Sequence, residues 1–339
     1  MSPPPPSVQT AAAESSAIYA ALDLGTNNCR LLMARAQRRE GREGFHVVEA
    51  FSRIVRLGEG LATTGLLSEA AMTRTIEALK ICARKVTERR VRSARYVATE
   101  ACRRAANCAE FLERVRRDTG LALETISSGE EAHLMVAGCL PLLAHGIPHA
   151  LVFDIGGGST ELVWLTLPAD PALPPVVEGY LSVPQGVVTL ADRYDGRAVS
   201  AETYAAMVAE MRGALAPFDA RFGIGARIGE GKVQMLGSSG TVTMLTAIHL
   251  ELPRYIRARV DGYSLDFPAI VRATGHLAAM PYAERASHPC IGRERADLVL
   301  AGCAVLEAIC QLWPVGRLAV ADRGIREGIL MSLVESRGH

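Results

Sequence analysis

Asp23, Asp154, Glu161 and the pair Glu130-Glu131 are the carboxylates best placed for chemistry, because each stands in or beside a loop of small residues. Asp23-Leu24-Gly25-Thr26-Asn27-Asn28 and Asp154-Ile155-Gly156-Gly157-Gly158-Ser159-Thr160-Glu161 both place Asp-x-Gly at the end of an apolar run, 131 residues apart. A glycine turn bares backbone N–H groups, and Thr26, Asn27 and Ser159 add side-chain donors. Each loop can therefore cradle a phosphate. An aspartate at the strand end can hold a hydrated cation facing that phosphate, and Asp23, Asp154 and Glu161 are the candidates. Oxygen ligands favour magnesium, with manganese as the alternative. The run Gly156, Gly157, Gly158 would weaken an ordinary hairpin. Such a run is expected where a ligand must approach the main chain closely.

Three further segments carry polar chemistry. Ser128-Gly129-Glu130-Glu131-Ala132 sets two carboxylates in the first turn of a helix. The helix dipole alone favours acids there. Lying just before the second hairpin, such an acid is also placed to orient a water and take its proton. Gly237-Ser238-Ser239-Gly240-Thr241 joins a strand to a helix, and a helix N-terminus can bind an anion or simply be capped. In Thr99-Glu100-Ala101-Cys102-Arg103-Arg104, either arginine can reach a phosphate or lie on a solvated helix face.

The elements that must position these residues follow from pattern. Each Asp-x-Gly segment reads as a buried strand, a tight turn and a returning strand. A polar, Arg-rich stretch then leads to a strand near Phe45 to Ser52. Ser68 caps a helix carrying Met72, Ile76, Leu79 and Val86, and a strand runs from Ala94 to Ala98. Asn107-x-x-Glu110 reads as a capping box before a helix with Phe111 and Val115, and Leu121 to Ile126 as a strand. The order β-β-β-α-β-α-β argues an α/β domain. A helix begins at Glu130 and breaks at Pro141, and the second hairpin opens a second domain. There the expected elements are a strand at 176–183, helices at 187–194 and 201–215, a strand at 233–236 and a helix at 241–248. A helix at 294–312, a strand at 317–321 and a helix at 324–333 close the chain.

Composition narrows the class. A chain of 339 residues defaults to two domains. A net charge of +1 carries no nucleic-acid or membrane signal. Only Lys80, Lys85 and Lys232 are lysines, and the other basic residues are arginines, the better phosphate fork. The eight cysteines form no Cys-x-x-Cys pair, which reads as reduced, buried thiols and a cytoplasmic protein. His145 and His149 are separated by Gly146 and Pro148, which argues against a helical metal pair. Residues 1–17, with Pro3 to Pro6, read as a disordered tail.

These motifs together resemble the exopolyphosphatase/guanosine-pentaphosphate phosphohydrolase family, over a stretch from about Ile18 to the end. The resemblance rests on the two hairpins, Arg56-Leu57-Gly58-Glu59-Gly60-Leu61, Ala98 to Arg103 and Ser128 to Ala132. Pro184-Gln185-Gly186-Val187-Val188, Leu236 to Thr241 and Ala321-Asp322-Arg323-Gly324-Ile325-Arg326-Glu327-Gly328 extend it. It implies two actin-like, ribonuclease H-like domains of the actin, sugar kinase and heat-shock-protein ATPase superfamily, with an interdomain cleft. These would span 18–135 and 136–322, and a last helix over 323–336 would pack back on the first. It also implies magnesium-dependent hydrolysis of the terminal phosphoryl group of inorganic polyphosphate, with guanosine pentaphosphate as second substrate, in a homodimer. By the same resemblance Glu131 is the catalytic base, and Asp154 and Glu161 position metal and water. Asp23, Gly25, Thr26, Asn27, Arg103, Gly156, Gly157, Gly158, Ser159, Gly237, Ser238, Ser239 and Gly240 hold substrate. Gly-Thr-Asn-Asn replaces the common Gly-Ser-Asn-Ser and keeps a hydroxyl and an amide. Longer members add a helical C-terminal region that extends the polyphosphate channel. Two rivals share the fold: a small-molecule kinase and a non-catalytic phosphate-chain sensor.

Overall fold

The computed structural model describes residues 17–39, 42–170 and 173–336. Apart from Ala17, the tail expected over 1–17 lies outside them. β1 (Ile18–Leu24) and β6 (His149–Ile155) are the apolar runs that end at the two aspartates, and both are central strands. Each folds back through its Asp-x-Gly turn into an antiparallel partner, β2 (Asn28–Arg39) and β7 (Thr160–Thr166) respectively. β3 (Arg42–Ile54) and β8 (Val176–Val183) complete the two meanders. On the other side β1 pairs in parallel with β4 (Ser93–Ala98), and β4 with β5 (Glu124–Thr125). β6 likewise pairs with β9 (Val233–Ser238), and β9 with β11 (Arg317–Ala321). The first sheet has the order β3-β2-β1-β4-β5. The second repeats it as β8-β7-β6-β9-β11 and adds β10 (Ser264–Asp266) at its edge.

The duplication extends beyond the motifs. Pairing slips between Met33 and Ala34 in one meander and between Trp164 and Leu165 in the other, again 131 residues apart. A bulge there sharpens the local twist, so both meanders curl at the same place. The expected α/β architecture of two ribonuclease H-like, actin-like halves is what the chain adopts.

Strand alternation sorts the side chains into layers. Ala20, Leu22 and Leu24 of β1 face Met72, Ile76 and Leu79 of α1 (Glu69–Glu88). The short helix α2 (Glu100–Arg104) and α3 (Cys108–Thr119) lie on that same side. Tyr19 and Ala21 face the opposite way, onto α4 (Ser128–Cys139), as do Ala150 and Val152 of β6. The outer face of the second sheet is covered by α5 (Val187–Tyr194), α6 (Ala201–Phe222), α7 (Gly240–His249), α8 (Phe267–Ala279) and α9 (Val299–Leu312). α10 (Ile325–Glu335) joins α4 between the two sheets and packs on β1. The crossing of α4 and α10 needs glycine. A methyl on Gly138 would sit 2.1 Å from the Gly324 oxygen, and one on Gly328 would sit 2.0 Å from the Leu134 oxygen. The division expected between residues 135 and 136 falls inside α4.

Several elements differ from the sequence expectation. Asn107 does not cap α3. Its amide instead accepts from Leu67 N at 2.9 Å and donates to Leu67 O at 3.0 Å, tying two loops together. The strand expected over 121–126 pairs only at Glu124–Thr125, because Ser127 then caps α4. The helix expected from Glu294 starts at Val299, after tight turns in which Arg295 N bonds Gly292 O and Leu298 N bonds Arg295 O. α6 continues through Pro217 to Phe222 and ends at Gly223, whose φ of 59° suits glycine. β2 runs on to Arg39 through the segment read as a polar stretch.

Candidate active site

Both hairpin turns are closed by one backbone bond, Gly25 N to Asn28 O and Gly156 N to Ser159 O, each 2.9 Å. Cross-strand pairing then sets Arg30 opposite Asp23 and Glu161 opposite Asp154. Paired residues share a sheet face, so Asp154 and Glu161 lie side by side. The two turns also touch. A Cβ on Gly157 would lie 3.0 Å from Asn27 N, and one on Gly158 would lie 2.5 Å from Thr26 Oγ1. Here the glycines permit a close approach of two backbones. The cleft between them is lined by Asp23, Gly25, Thr26, Asn27, Glu131, Asp154, Gly156, Gly157, Gly158, Ser159, Glu161, Ser239 and Gly240.

Helix α4 separates its two acids. Ser127 Oγ caps the helix by accepting from Glu130 N at 3.1 Å. Glu130 turns outward and pairs with Arg95. Glu131 turns inward and is 7% exposed. Its Oε2 accepts from Arg103 Nη1 at 2.6 Å. Arg103 is itself held by Glu100 at 2.9 Å and by the Ile126 carbonyl at 3.1 Å. Glu161 Oε1 accepts from Ser159 Oγ at 2.5 Å and from Ser182 Oγ at 3.0 Å.

Four carboxylates thus share one poorly solvated floor. Burial pushes Glu131 to about 8, with the neighbouring Glu161 charge adding to the rise and Arg103 opposing it. Burial likewise lifts Asp154 to about 7, and it lifts Glu161 and Asp23 above their usual range. Such a set calls for positive charge. The structure supplies part of it in Arg30, Arg295 and Arg326, none of which forms an ion pair among the described residues. Arg30 and Arg326 bear on both Asp23 and Asp154. Burial, and the Arg30 charge beside it, pull Arg295 below the usual arginine range.

Most predicted site residues converge here, and a few do not. Arg103 lies behind Glu131 as its ion-pair partner and is not part of the cleft lining. Gly237 sits within the sheet, where a Cβ would lie 2.5 Å from the Phe153 ring. Ser238 donates to the Arg323 carbonyl at 2.9 Å, in an arginine-lined extension of the cleft. Ser239 caps α7 by accepting from Val242 N at 3.0 Å. Arg30, Arg295 and Arg326 were missed. Arg30 was findable, since a hairpin register centred on Gly25 places it opposite Asp23. Nothing local marks Arg295, which reaches the cleft from an irregular turn.

The floor suits a hydrated hard cation. The side-chain oxygens of Asn27 and Asn28 are buried acceptors without a partner among the described residues. They would accept bonds from the waters of such an ion. Among the described residues no three His, Cys, Asp or Glu side chains form a ready metal cage. A magnesium ion, which keeps several waters and takes one or two carboxylates plus substrate phosphate oxygens, is the kind of cation such a floor could hold. Asp23, Asp154 and Glu161 are its candidate ligands.

Comparison with known proteins bears on this geometry. The model of the Ppx/GppA phosphatase family matches residues 36–337. A guanosine-5'-triphosphate,3'-diphosphate pyrophosphatase of Aliivibrio fischeri is 27% identical over 333 residues. The match covers 96% of this chain, which spans 61% of that relative's length. A crystal structure of the Aquifex aeolicus member of the Ppx/GppA family is 29% identical with a TM-score of 0.72, covering 95% of this chain and 99% of that one. An exopolyphosphatase from Cytophaga hutchinsonii shares the fold at a TM-score of 0.82 and 23% identity, covering 94% and 98% of the two chains. With the family model matched over most of its length, the chain belongs to the Ppx/GppA phosphatase family.

Proposed function

We propose that this protein hydrolyses the terminal phosphoryl group of a phosphate chain, inorganic polyphosphate first and guanosine pentaphosphate second. The observation that carries the reading is the inward Glu131, a buried base candidate facing the same cleft as two phosphate-type hairpin turns. The relatives' names point the same way, one to a guanosine pentaphosphate and one to polyphosphate.

In this reading the terminal phosphoryl lies between the turns at Gly25–Asn27 and Gly156–Ser159. Their backbone N–H groups face its oxygens and stabilise the charge that spreads over them. Arg30, Arg295 and Arg326 neutralise the following phosphates. Bound magnesium would supply charge neutralisation of phosphate oxygens from the side of Asp23 and Asp154. Glu161, fixed by Ser159 and Ser182, orients the attacking water. Glu131 takes the proton as the water oxygen bonds to phosphorus, and the shortened chain leaves with the electron pair of the broken P–O bond. Arg103 holds Glu131 in place and keeps its raised affinity for a proton within the working range.

The test is orthophosphate release with magnesium from long polyphosphate, short polyphosphate, guanosine pentaphosphate and ATP, with no acceptor present. Release from a phosphate chain supports the proposal. A kinase on this fold would release little without an acceptor. A sensor would bind the chain and release nothing.

A further inference from the structure

The two halves meet at the hinge layer of α4 and α10 and again on the far side of the cleft. At that second meeting point stands Arg56. Its Nη2 donates to Asp297 Oδ1 at 2.8 Å and to the Glu294 carbonyl at 3.0 Å. Among the described residues this is the ion pair that joins the first sheet's half to the second's; the others join neighbours within a half or along the hinge layer.

Three facts show that Arg56 is built for this contact. First, its φ is 47°, in the left-handed region where glycine is the easy choice. An arginine kept there argues that its side chain is needed. Second, its loop is braced from behind: Arg74 Nε donates to Val55 O at 2.6 Å, and Arg74 Nη2 to Arg56 O at 3.2 Å. Third, the loop rests directly on the first hairpin turn. Val55 N and Arg56 N both bond Asn27 O, at 2.8 and 3.0 Å, and Gly58 N bonds Thr26 O at 3.0 Å. On the other side, Asp297 follows Arg295 by two residues in the turn that brings Arg295 to the cleft.

We infer that Arg56 and Asp297 form a clasp that holds the two hairpin turns together and that must open to admit or release a phosphate chain. The turns touch at Gly157–Asn27 and Gly158–Thr26 in this structure, so the cleft they line can widen at that point only if the halves part. The hinge layer is apolar and tightly crossed, whereas the clasp is ionic and keeps partial access to solvent, 27% for Arg56 and 16% for Asp297. The clasp is therefore the side that yields, and salt screens it. Arg56 and Asp297 are positioning residues here, since they touch the turns' supports and not the substrate. That a phosphate chain is what enters rests on the proposed function; the clasp itself does not.

The test has a substrate-free arm and a kinetic arm, on Arg56→Asp, Asp297→Arg, their double exchange and Arg56→Gly. In the free protein, amide hydrogen exchange over 25–29 and 156–159 is read at low and high salt. The single variants and Arg56→Gly should exchange at least threefold faster there than wild type, with α1 unchanged as an internal control. The double exchange should restore protection, and salt should speed wild type but not the singles. In the kinetic arm, the singles should raise KM for polyphosphate at least threefold without a matching fall in kcat. Arg56→Gly separates backbone from side chain: it relieves the left-handed strain, so protection equal to wild type would overturn the inference. So would unchanged exchange in the single variants, or failure of the double exchange to restore it. Exchange that behaves as expected, with no polyphosphate turnover in any variant, would defeat the proposed function and leave the clasp standing.

Discussion

Glu130 and Glu131 show how much one residue's placement decides. Adjacent in sequence, they stand about 100° apart around α4, enough to turn one outward and the other inward. One is spent on Arg95 and the other is buried in the cleft. Replacing Glu131 by Gln removes the proton acceptor and keeps the shape. Loss of a general base costs about 10²–10⁴-fold, and the Arg103 contact survives through the amide oxygen. Arg103 is predicted to act through Glu131. Its charge lowers the proton affinity of that carboxylate, so Arg103→Gln should move the acid limb of kcat/KM against pH to higher pH. An unshifted limb would remove Arg103 from the account. The acids were legible in the sequence because strand ends and glycine turns announce them. Arg103 was legible as an arginine near phosphate chemistry but not as a partner of Glu131. That required knowing that α2 and α4 converge, and the contact spans 28 positions of chain.

At the scale of elements, α4 is the part that aims Glu131, the proposed base, into the cleft. Its cap, Ser127 Oγ to Glu130 N, fixes the first turn in which Glu131 sits. Ser127→Ala should cost about 1 kcal/mol, as N-cap losses do, and a denaturant titration would measure it. The crossing with α10 is less forgiving. A methyl at Gly328 meets the Leu134 carbonyl at 2.0 Å, so the helices must move apart. Gly328→Ala should destabilise by about 1–3 kcal/mol, the usual range for overpacking. It should also slow turnover, since Leu134 lies one helical turn beyond Glu131. Unchanged stability would mean that the crossing is looser than the structure shows. The sequence revealed α4, its acids and the last helix, because apolar period and the break at Pro141 are local signals. It did not reveal the late start of α9, because residues 294–298 have helical composition yet fold as turns that deliver Arg295.

The whole molecule balances like charges across its cleft, and that balance should show in its stability. Asp154 has an ordinary value of 3.8 and is lifted to about 7 in the folded state. Between those values the folded protein keeps a proton that the unfolded chain has released. Its contribution to stability therefore falls as pH rises through that window. Glu131 adds the same trend from 4.5 up to about 8. The metal-free protein should melt at a lower temperature at pH 8 than at pH 5.5. Asp154→Asn should flatten the dependence. If the floor holds magnesium as proposed, the ion should raise the melting temperature more at pH 8, since a cation would bind the ionised carboxylates and stabilise by mass action. A wild-type melting curve with the same slope as Asp154→Asn would contradict the shared-floor electrostatics. The duplicated halves and the cleft were legible because the motif repeats at a fixed interval. The clasp was not: Arg56 and Asp297 are brought together by the closure of the two halves, which no local pattern encodes.

The central claim is that Glu131 activates water on a chain held between the two hairpins. It is tested most directly by single-turnover phosphate release from polyphosphate with magnesium, comparing wild type with Glu131→Gln while chain binding is measured in the same samples. The account predicts binding within a few-fold of wild type and release slowed by about 10²-fold or more. Release at the wild-type rate from the variant would contradict it.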